Sequence, residues 1–289
     1  MTEAGGRPKR RRWMFAGLCW ATAGVVVVLG ALLFLSDRWL TPALDDADLA
    51  RVGERFFRNE CGRDPDKLTH WNRGEAFISL GILHMLWYPA GVTQTYRETF
   101  PDFVDFCRRR GQAVPAWIED ALDTGCPWPD RASFYAQFDS GLARSLRSFL
   151  GGTQGLQAAF AQRRLRTGLK QVVAQAPAAR RLPLRAKLYL LGRSPAGVYA
   201  LIDYVNFKGE GTSAKERYQG QGWGLAQVLA GMPLTGSSRE ALAAFVQAAK
   251  ETLSRRVANA PDPVKERRWL PGWHKRLDRY LAPITDLSD

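Results

Sequence analysis

From Trp13 to Ser36 the chain carries no charged residue, running through Val25-Val26-Val27-Val28 and Leu32-Leu33. A helix needs roughly 20 predominantly apolar residues to cross a bilayer core. This stretch is long enough, so the rest of the chain must fold as a tethered unit. Arg7, Lys9, Arg10, Arg11 and Arg12 precede it against one acid, Glu3, and Asp37-Arg38 come after it. That imbalance of cations keeps the N-terminus inside and places the body of the chain on the non-cytoplasmic side. A cleaved signal peptide also starts basic and turns apolar, but its apolar core is shorter, about 7–15 residues. No small-x-small cleavage site comes after Leu35. The expected organisation is a basic tail over 1–12, a transmembrane helix over 13–36 and a globular domain over 40–289.

The formal net charge is +13, and the tail contributes only a small part of it. The remaining excess suits a polyanion such as a wall polymer or lipid headgroups. Topology excludes nucleic acid as a partner, because the domain faces away from the cytoplasm. An ordinary solvated basic surface would carry the same excess. Of four cysteines, Cys19 lies in the span, leaving Cys61, Cys107 and Cys126 with no Cys-x-x-Cys spacing. That pattern implies no metal site. It permits one disulfide in an oxidising compartment, without naming the pair.

Beyond the span the periodicity is mainly helical. Leu49, Val52, Phe56 and Phe57 recur at helical spacing after the acids Asp45, Asp46 and Asp48, predicting an amphipathic helix to about Asn59 with Gly62 as its C-cap. Trp71-Asn72-Arg73-Gly74 reads as a turn, and the alternation from Phe77 to Ile82 predicts a small β-hairpin over 71–82. Prolines and aromatics over 85–130 mark turns between short helices. Phe134, Phe138, Leu142, Leu146 and Phe149 continue a helical pattern over 133–174. Pro177, Pro183 and Pro195 make 175–195 a basic linker. The segment from Val198 to Phe207, a Gly-rich turn, Gly224 to Leu229 and a helix from Arg239 to Val257 complete the chain. The fold class is mostly α, an α+β arrangement with one small hairpin.

A carboxyl group at a helix end facing a hairpin is a natural general acid, because partial burial raises its pKa. Glu60 occupies such a place, although an isolated Glu after a helix is more often a solvated cap. The string Ser79-Leu80-Gly81-Ile82-Leu83-His84 resembles the T-x-G-x-G-H hairpin segment of phage-type lysozymes, members of the lysozyme-like superfamily. The stretch from Ala200 to Gly211, with Gly224-Leu225-Ala226-Gln227-Val228-Leu229 after it, is similar to the start of their C-terminal lobe. The resemblance covers about a third of the chain. It implies a two-lobed domain: a catalytic hairpin lobe over 44–90, a helical insertion over 91–195 and a C-terminal lobe over 196–283.

Carried over residue by residue, the resemblance puts Glu60 at the catalytic acid, Asn72 near the hairpin Asp, Ser79 at the catalytic-face Thr and His84 at the closing His. Leu83 stands where the family has a second Gly, and Asn72 cannot act as a carboxylate. A lytic transglycosylase needs only one acid/base, since the sugar's 6-hydroxyl attacks the anomeric carbon. Glu75 is a second carboxylate in the hairpin, or an exposed turn residue. Glu210 with Gly222-Trp223-Gly224-Leu225-Ala226-Gln227 is also similar to the E…G-x-G-L-x-Q arrangement of soluble lytic transglycosylases, which makes Glu210 a competing acid and Gln227 a groove residue. Trp71, Trp223 and Tyr218 are candidates for stacking on sugars, although most aromatic side chains fill cores. The resemblance implies a peptidoglycan glycosidase in the bacterial inner membrane, its domain periplasmic and its substrate the glycan strands, with no cofactor. A wall-binding or scaffold protein that keeps the fold without the chemistry is the alternative.

Overall fold

The computed structural model describes residues 40–41 and 44–284. The expected tail and transmembrane helix lie outside the described residues, among which no helix is long and apolar enough to cross a membrane.

The first helix, α1 (Asp46–Phe56), starts where predicted. Asp45 caps it, accepting from the Asp48 N–H at 2.7 Å, so a carboxylate meets the positive end of the helix dipole. Leu49, Val52 and Phe56 are buried on one face, each stabilising the fold by roughly 1.5–3 kcal/mol. The helix then widens into one π turn, Phe57–Cys61, and stops at Gly62 with φ +64°. Such a turn adds a residue to the spiral and rotates the downstream backbone, and Glu60 sits within it.

The predicted hairpin is part of a larger sheet. Its antiparallel strands are β1 (Thr69–His70), β2 (Ile78–Leu80) and β3 (Met85–Trp87), in that spatial order. Ser79 faces His70 on one side and Leu86 on the other. Residues 71–77 form the first connection and 81–84 the second. The sequence does not signal the third strand, because Met85-Leu86-Trp87 is too short and too uniformly apolar to show alternation.

Short helices come next, as the prolines indicate: α2 (Phe100–Arg109), α3 (Ala116–Ala121) and α4 (Arg131–Ala136). Then come α5 (Gly141–Gly152) and the 22-residue α6 (Gln154–Gln175), separated only by Thr153. The buried Thr153 hydroxyl donates to the Phe149 carbonyl at 2.7 Å. One hydrophobic core runs from Leu40 to Tyr280, and α6 crosses it. α6 packs along α1, and α1 comes so close that a Cβ on Gly53 would lie 2.6 Å from the Gln154 carbonyl oxygen.

The expected linker over 175–195 is a helix, α7 (Ala178–Gly192), with Pro183 inside it. Pro183 removes one backbone bond, but Leu184, Leu188 and Leu191 bury a face at helical spacing and hold the turn in place. The last block comprises α8 (Pro195–Lys208), a two-stranded ribbon β4 (Arg217–Tyr218) with β5 (Gln221–Gly222), α9 (Leu225–Gly231), α10 (Ser238–Asn259), α11 (Pro263–Arg267) and α12 (Leu270–Asp278). Cys61, Cys107 and Cys126 are free and buried, so the permitted disulfide does not form. Burial pushes their thiols up to about 11, about 12 and about 12.

The α1–α6 contact yields a stability prediction. Gly53→Ala forces backbone apart and should cost about 1–3 kcal/mol in urea unfolding. Gly151→Ala is the contrast, since its Cβ would meet only Leu68 Cδ1 at 3.7 Å, and it should gain about 0.4–1 kcal/mol by restricting the unfolded chain. Equal stability of the two variants would refute the close approach.

Candidate functional site

Three elements converge on Glu60. The π turn ending α1 presents its carboxylate, α12 sends Arg276, and the turn between β2 and β3 brings His84. Arg276 Nη2 donates to Glu60 Oε1 at 2.8 Å, and His84 Nε2 stands 3.9 Å from Oε2. The adjoining cavity has a volume of about 360 Å³ and is lined by Asn59, Glu60, Tyr199, Phe207, Trp273 and Arg276, among others. The nearby His84 imidazole and the Arg276 charge hold the Glu60 carboxyl below its ordinary value, against the opposing pull of burial. In the unliganded protein Glu60 is therefore a carboxylate at neutral pH.

Arg276 is fixed from behind. Its Nε and Nη2 donate to the two carboxylate oxygens of Asp203 on α8, at 2.8 and 2.6 Å, and Asp203 is 1% exposed. The Tyr280 hydroxyl donates to the same carboxylate. Burial works against the Arg276 charge, but the hydrogen bonds and charge of Asp203, with Glu60 behind them, outweigh it and raise its pKa. Against two of the rings that line the cavity, Lys208 Nζ lies 3.5 Å from the Trp273 ring centre and 4.0 Å from that of Phe207. Burial between the rings, and then Arg256, push its ammonium down to about 7.

The sheet turn is clamped from α6. Gln157 is fully buried; its Oε1 accepts from the Ile82 N–H at 2.9 Å and its Nε2 donates to the Leu150 carbonyl at 2.7 Å. Gly81, at φ +72°, leaves the space that the Gln157 amide fills, since a Cβ there would lie 2.2 Å from Oε1. His84 itself has φ +52°, an uncommon conformation for a residue with a side chain.

The other residues proposed from sequence fall into two groups away from Glu60. Asn72 accepts from His70 Nε2 at 2.8 Å and donates to Glu75 Oε2 at 3.0 Å. Among the described residues no hydrogen bond joins Asn72 or Glu75 to Glu60. Ser79 is nearly buried at the middle of β2. Trp71 is 1% exposed, packs against Phe134 and donates its indole N–H to the Glu75 carbonyl, so its ring props the core instead of facing a groove. Trp223 is also buried, with Tyr218 at 4.6 Å between ring centres and the Arg256 guanidinium 4.1 Å over its ring. The Tyr218 hydroxyl donates to Glu266, and Gln227 Nε2 donates to the Gly211 carbonyl, which pins the Gly-rich turns. Tyr218 and Trp273 both line a further cavity of about 390 Å³, so this aromatic group adjoins the Glu60 cavity through Trp273.

Glu210 occupies separate ground beyond the end of α8. Its carboxyl rests over Gly168 of α6, where a Cβ would meet Oε1 at 1.9 Å. Burial raises its pKa, with Arg164 opposing and Glu216 adding to the rise.

Arg276, Asp203, Tyr199, Trp273, Lys208 and Gln157 were not singled out from sequence. Two of them leave a trace there: Asp203 is the sole charge between Val198 and Phe207, and Gln157 opens the run Ala158-Ala159-Phe160-Ala161. Compared with known proteins, the chain matches no family model, no curated protein and no solved structure.

Two measurements test the electrostatics. Arg276→Gln strips Asp203 of its cation and should cost roughly 3–5 kcal/mol, the penalty of an uncompensated buried charge. Glu60 titrates lower folded than unfolded, so it contributes stability above its unfolded value of about 4.3 and loses it as pH falls through the folded value. The acid limb of the stability–pH curve should therefore be shallower in Glu60→Gln than in the wild type. An unchanged limb would remove Arg276 and His84 as the cause.

Proposed function

We propose that the chain cleaves the β-1,4 glycosidic bond of peptidoglycan, with Glu60 as the acid/base. The observation that carries this reading is the placing of one carboxylate: at the end of the first helix, across from the β2–β3 turn, at the mouth of an aromatic-lined cavity. The chain order supports a lysozyme-like arrangement, with a helix ending in Glu60, then the sheet, then the long α6, then the helical block from α8 to α12. On this reading the domain is periplasmic and tethered to the bacterial inner membrane by the segment over 13–36.

A sugar filling the cavity displaces water from Glu60 and disfavours its charge, so its pKa climbs toward the proton-donating range. Asp203 keeps hold of Arg276 while Glu60 takes up that proton. The protonated carboxyl then delivers it to the leaving oxygen. Water or the substrate's own 6-hydroxyl completes the displacement at the anomeric carbon.

A second reading has an observation of its own. The ion pair that holds Glu60 against Arg276 also suits a wall-binding module without chemistry.

Digestion of purified sacculi by the full chain decides between them. The wild type should release soluble muropeptides, Glu60→Gln should lose about 100-fold or more of that rate, and Glu210→Gln should keep most of it. Reducing ends would mark hydrolysis and anhydro ends transglycosylation. No release by folded wild type, with sacculi still bound, would leave the module. Loss with Glu210→Gln alone would transfer the acid to that residue.

A further inference from the structure

Glu210 opens onto a pocket that the proposed cleavage does not use. Its volume is about 290 Å³, and Arg97, Asp102 and Arg109 from α2 and the segment before it face Arg163, Arg164 and Gly168 of α6 across it. Four guanidinium groups thus stand around one space.

The local carboxylates satisfy only part of this charge. Arg97 pairs with Asp102 at 2.8 Å and Arg109 with Asp105 at 3.4 Å. Arg163 and Arg164 lie near the rings of Phe106 and Phe160, at 5.8 and 5.9 Å. Among the described residues neither has a carboxylate within ion-pair distance. Glu210 lines the pocket as well; burial raises its pKa and Arg164 opposes the rise. Burial and then the charge of Arg97 lower the pKa of Arg164, while Asp102 and Glu210 oppose them without cancelling the shift. A guanidinium pair of this kind takes a carboxylate in bidentate fashion.

The position of the pocket narrows the choice of anion. A smaller cavity of about 100 Å³ shares Phe160, Arg164 and Glu210 with it and is lined also by Leu83, Met85 and Asn206. Leu83 directly precedes His84, the residue beside Glu60, so one turn reaches from the Glu60 site to the smaller cavity. We infer that the arginine pocket receives the carboxylates of an acidic peptide branching from the sugar held at Glu60, the stem peptide of peptidoglycan. This rests on the proposed cleavage. The glycan lies against Glu60 and Trp273, the peptide branch passes Leu83, and its carboxylate meets Arg163 and Arg164. Gly168 leaves room for the Glu210 carboxyl at the pocket, since a Cβ there would lie 1.9 Å from its Oε1.

Isothermal titration of the full chain in detergent tests this with four probes. They are a GlcNAc–MurNAc disaccharide bearing its free-acid stem peptide, the same with the peptide carboxylates amidated, the disaccharide without peptide, and the peptide alone. The wild type should bind the free acid at least about tenfold tighter than the amide, the worth of one charge-assisted hydrogen bond. That gap should close in Arg163→Gln/Arg164→Gln, and disaccharide binding should be unchanged there. Equal binding of acid and amide by the wild type overturns the pocket assignment whether or not the variant folds, and leaves the glycosidase reading intact. Arginine-dependent binding of the peptide alone, with no affinity for the disaccharide, would uphold the pocket as a peptide site and sink the glycosidase reading. No binding of any probe would sink both.

Discussion

The Asp203 carboxylate ties the ends of the fold together. It lies in an otherwise apolar stretch of α8, almost wholly out of water, where an isolated charge would be prohibitively costly. Arg276 of α12 and Tyr280 offset that cost, and Arg276 Nη2 also donates to Glu60 at the end of α1. One buried carboxylate thereby fixes the first helix, the middle helix and the last helix in a single geometry. Arg55 repeats the tie a turn earlier, donating to the carbonyls of Arg279 and Pro283. A buried ion pair is weak as a source of net stability but strong as a specifier, since few alternative packings satisfy all its partners. Here it also sets the charge state of the candidate catalytic group.

Positioning of the opposing wall depends on shape more than charge. The β2–β3 turn is a loop of four residues with two positive φ angles, at Gly81 and His84. Gln157 holds it by one hydrogen bond from the first turn of α6, and α6 in turn is seated on α1 by the absence of a side chain at Gly53. The chain of support runs from α1 through α6 to the turn and back to Glu60. Both sides of the cavity are therefore referenced to the same helix. That is the condition for holding two reacting groups to within a fraction of an ångström.

Much of this was legible in the residues. Asp45, Gly62, Asp64-Pro65 and the periodicity of Leu49, Val52 and Phe56 act locally, so the first helix and its end can be read from spacing alone. The helix from Ser238 to Asn259 is legible for the same reason. The region from Ala178 to Gly192 misled because proline is a local signal, and here tertiary burial of three leucines overrides it. Trp71 and Trp223 misled in another way: a tryptophan in a turn looks available, but whether its ring faces solvent depends on segments far away in sequence, Phe134 for one and Arg256 for the other. Arg276 was visible only as one cation in a basic helix, because its partners are 73 and 216 residues distant. Sites assembled by such separations are what a single sequence conceals.

The two carboxyl groups weighed from sequence end in opposite environments. Glu60 is depressed by His84 and Arg276, while Glu210 is raised by burial. Divergent environments are how one protein assigns different protonation states to like groups. By pKa alone Glu210 is the better resting acid. By geometry it is the poorer one: its carboxyl lies over a helix backbone at Gly168 and faces arginines, a setting for holding an anion. Glu60 has the open cavity, the aromatic wall and a charged partner that a second carboxylate can retain while Glu60 takes up a proton. A general acid needs reach before it needs the right resting pKa. Reach is fixed by the fold, whereas the pKa of a half-buried carboxyl moves as soon as a ligand excludes water from it.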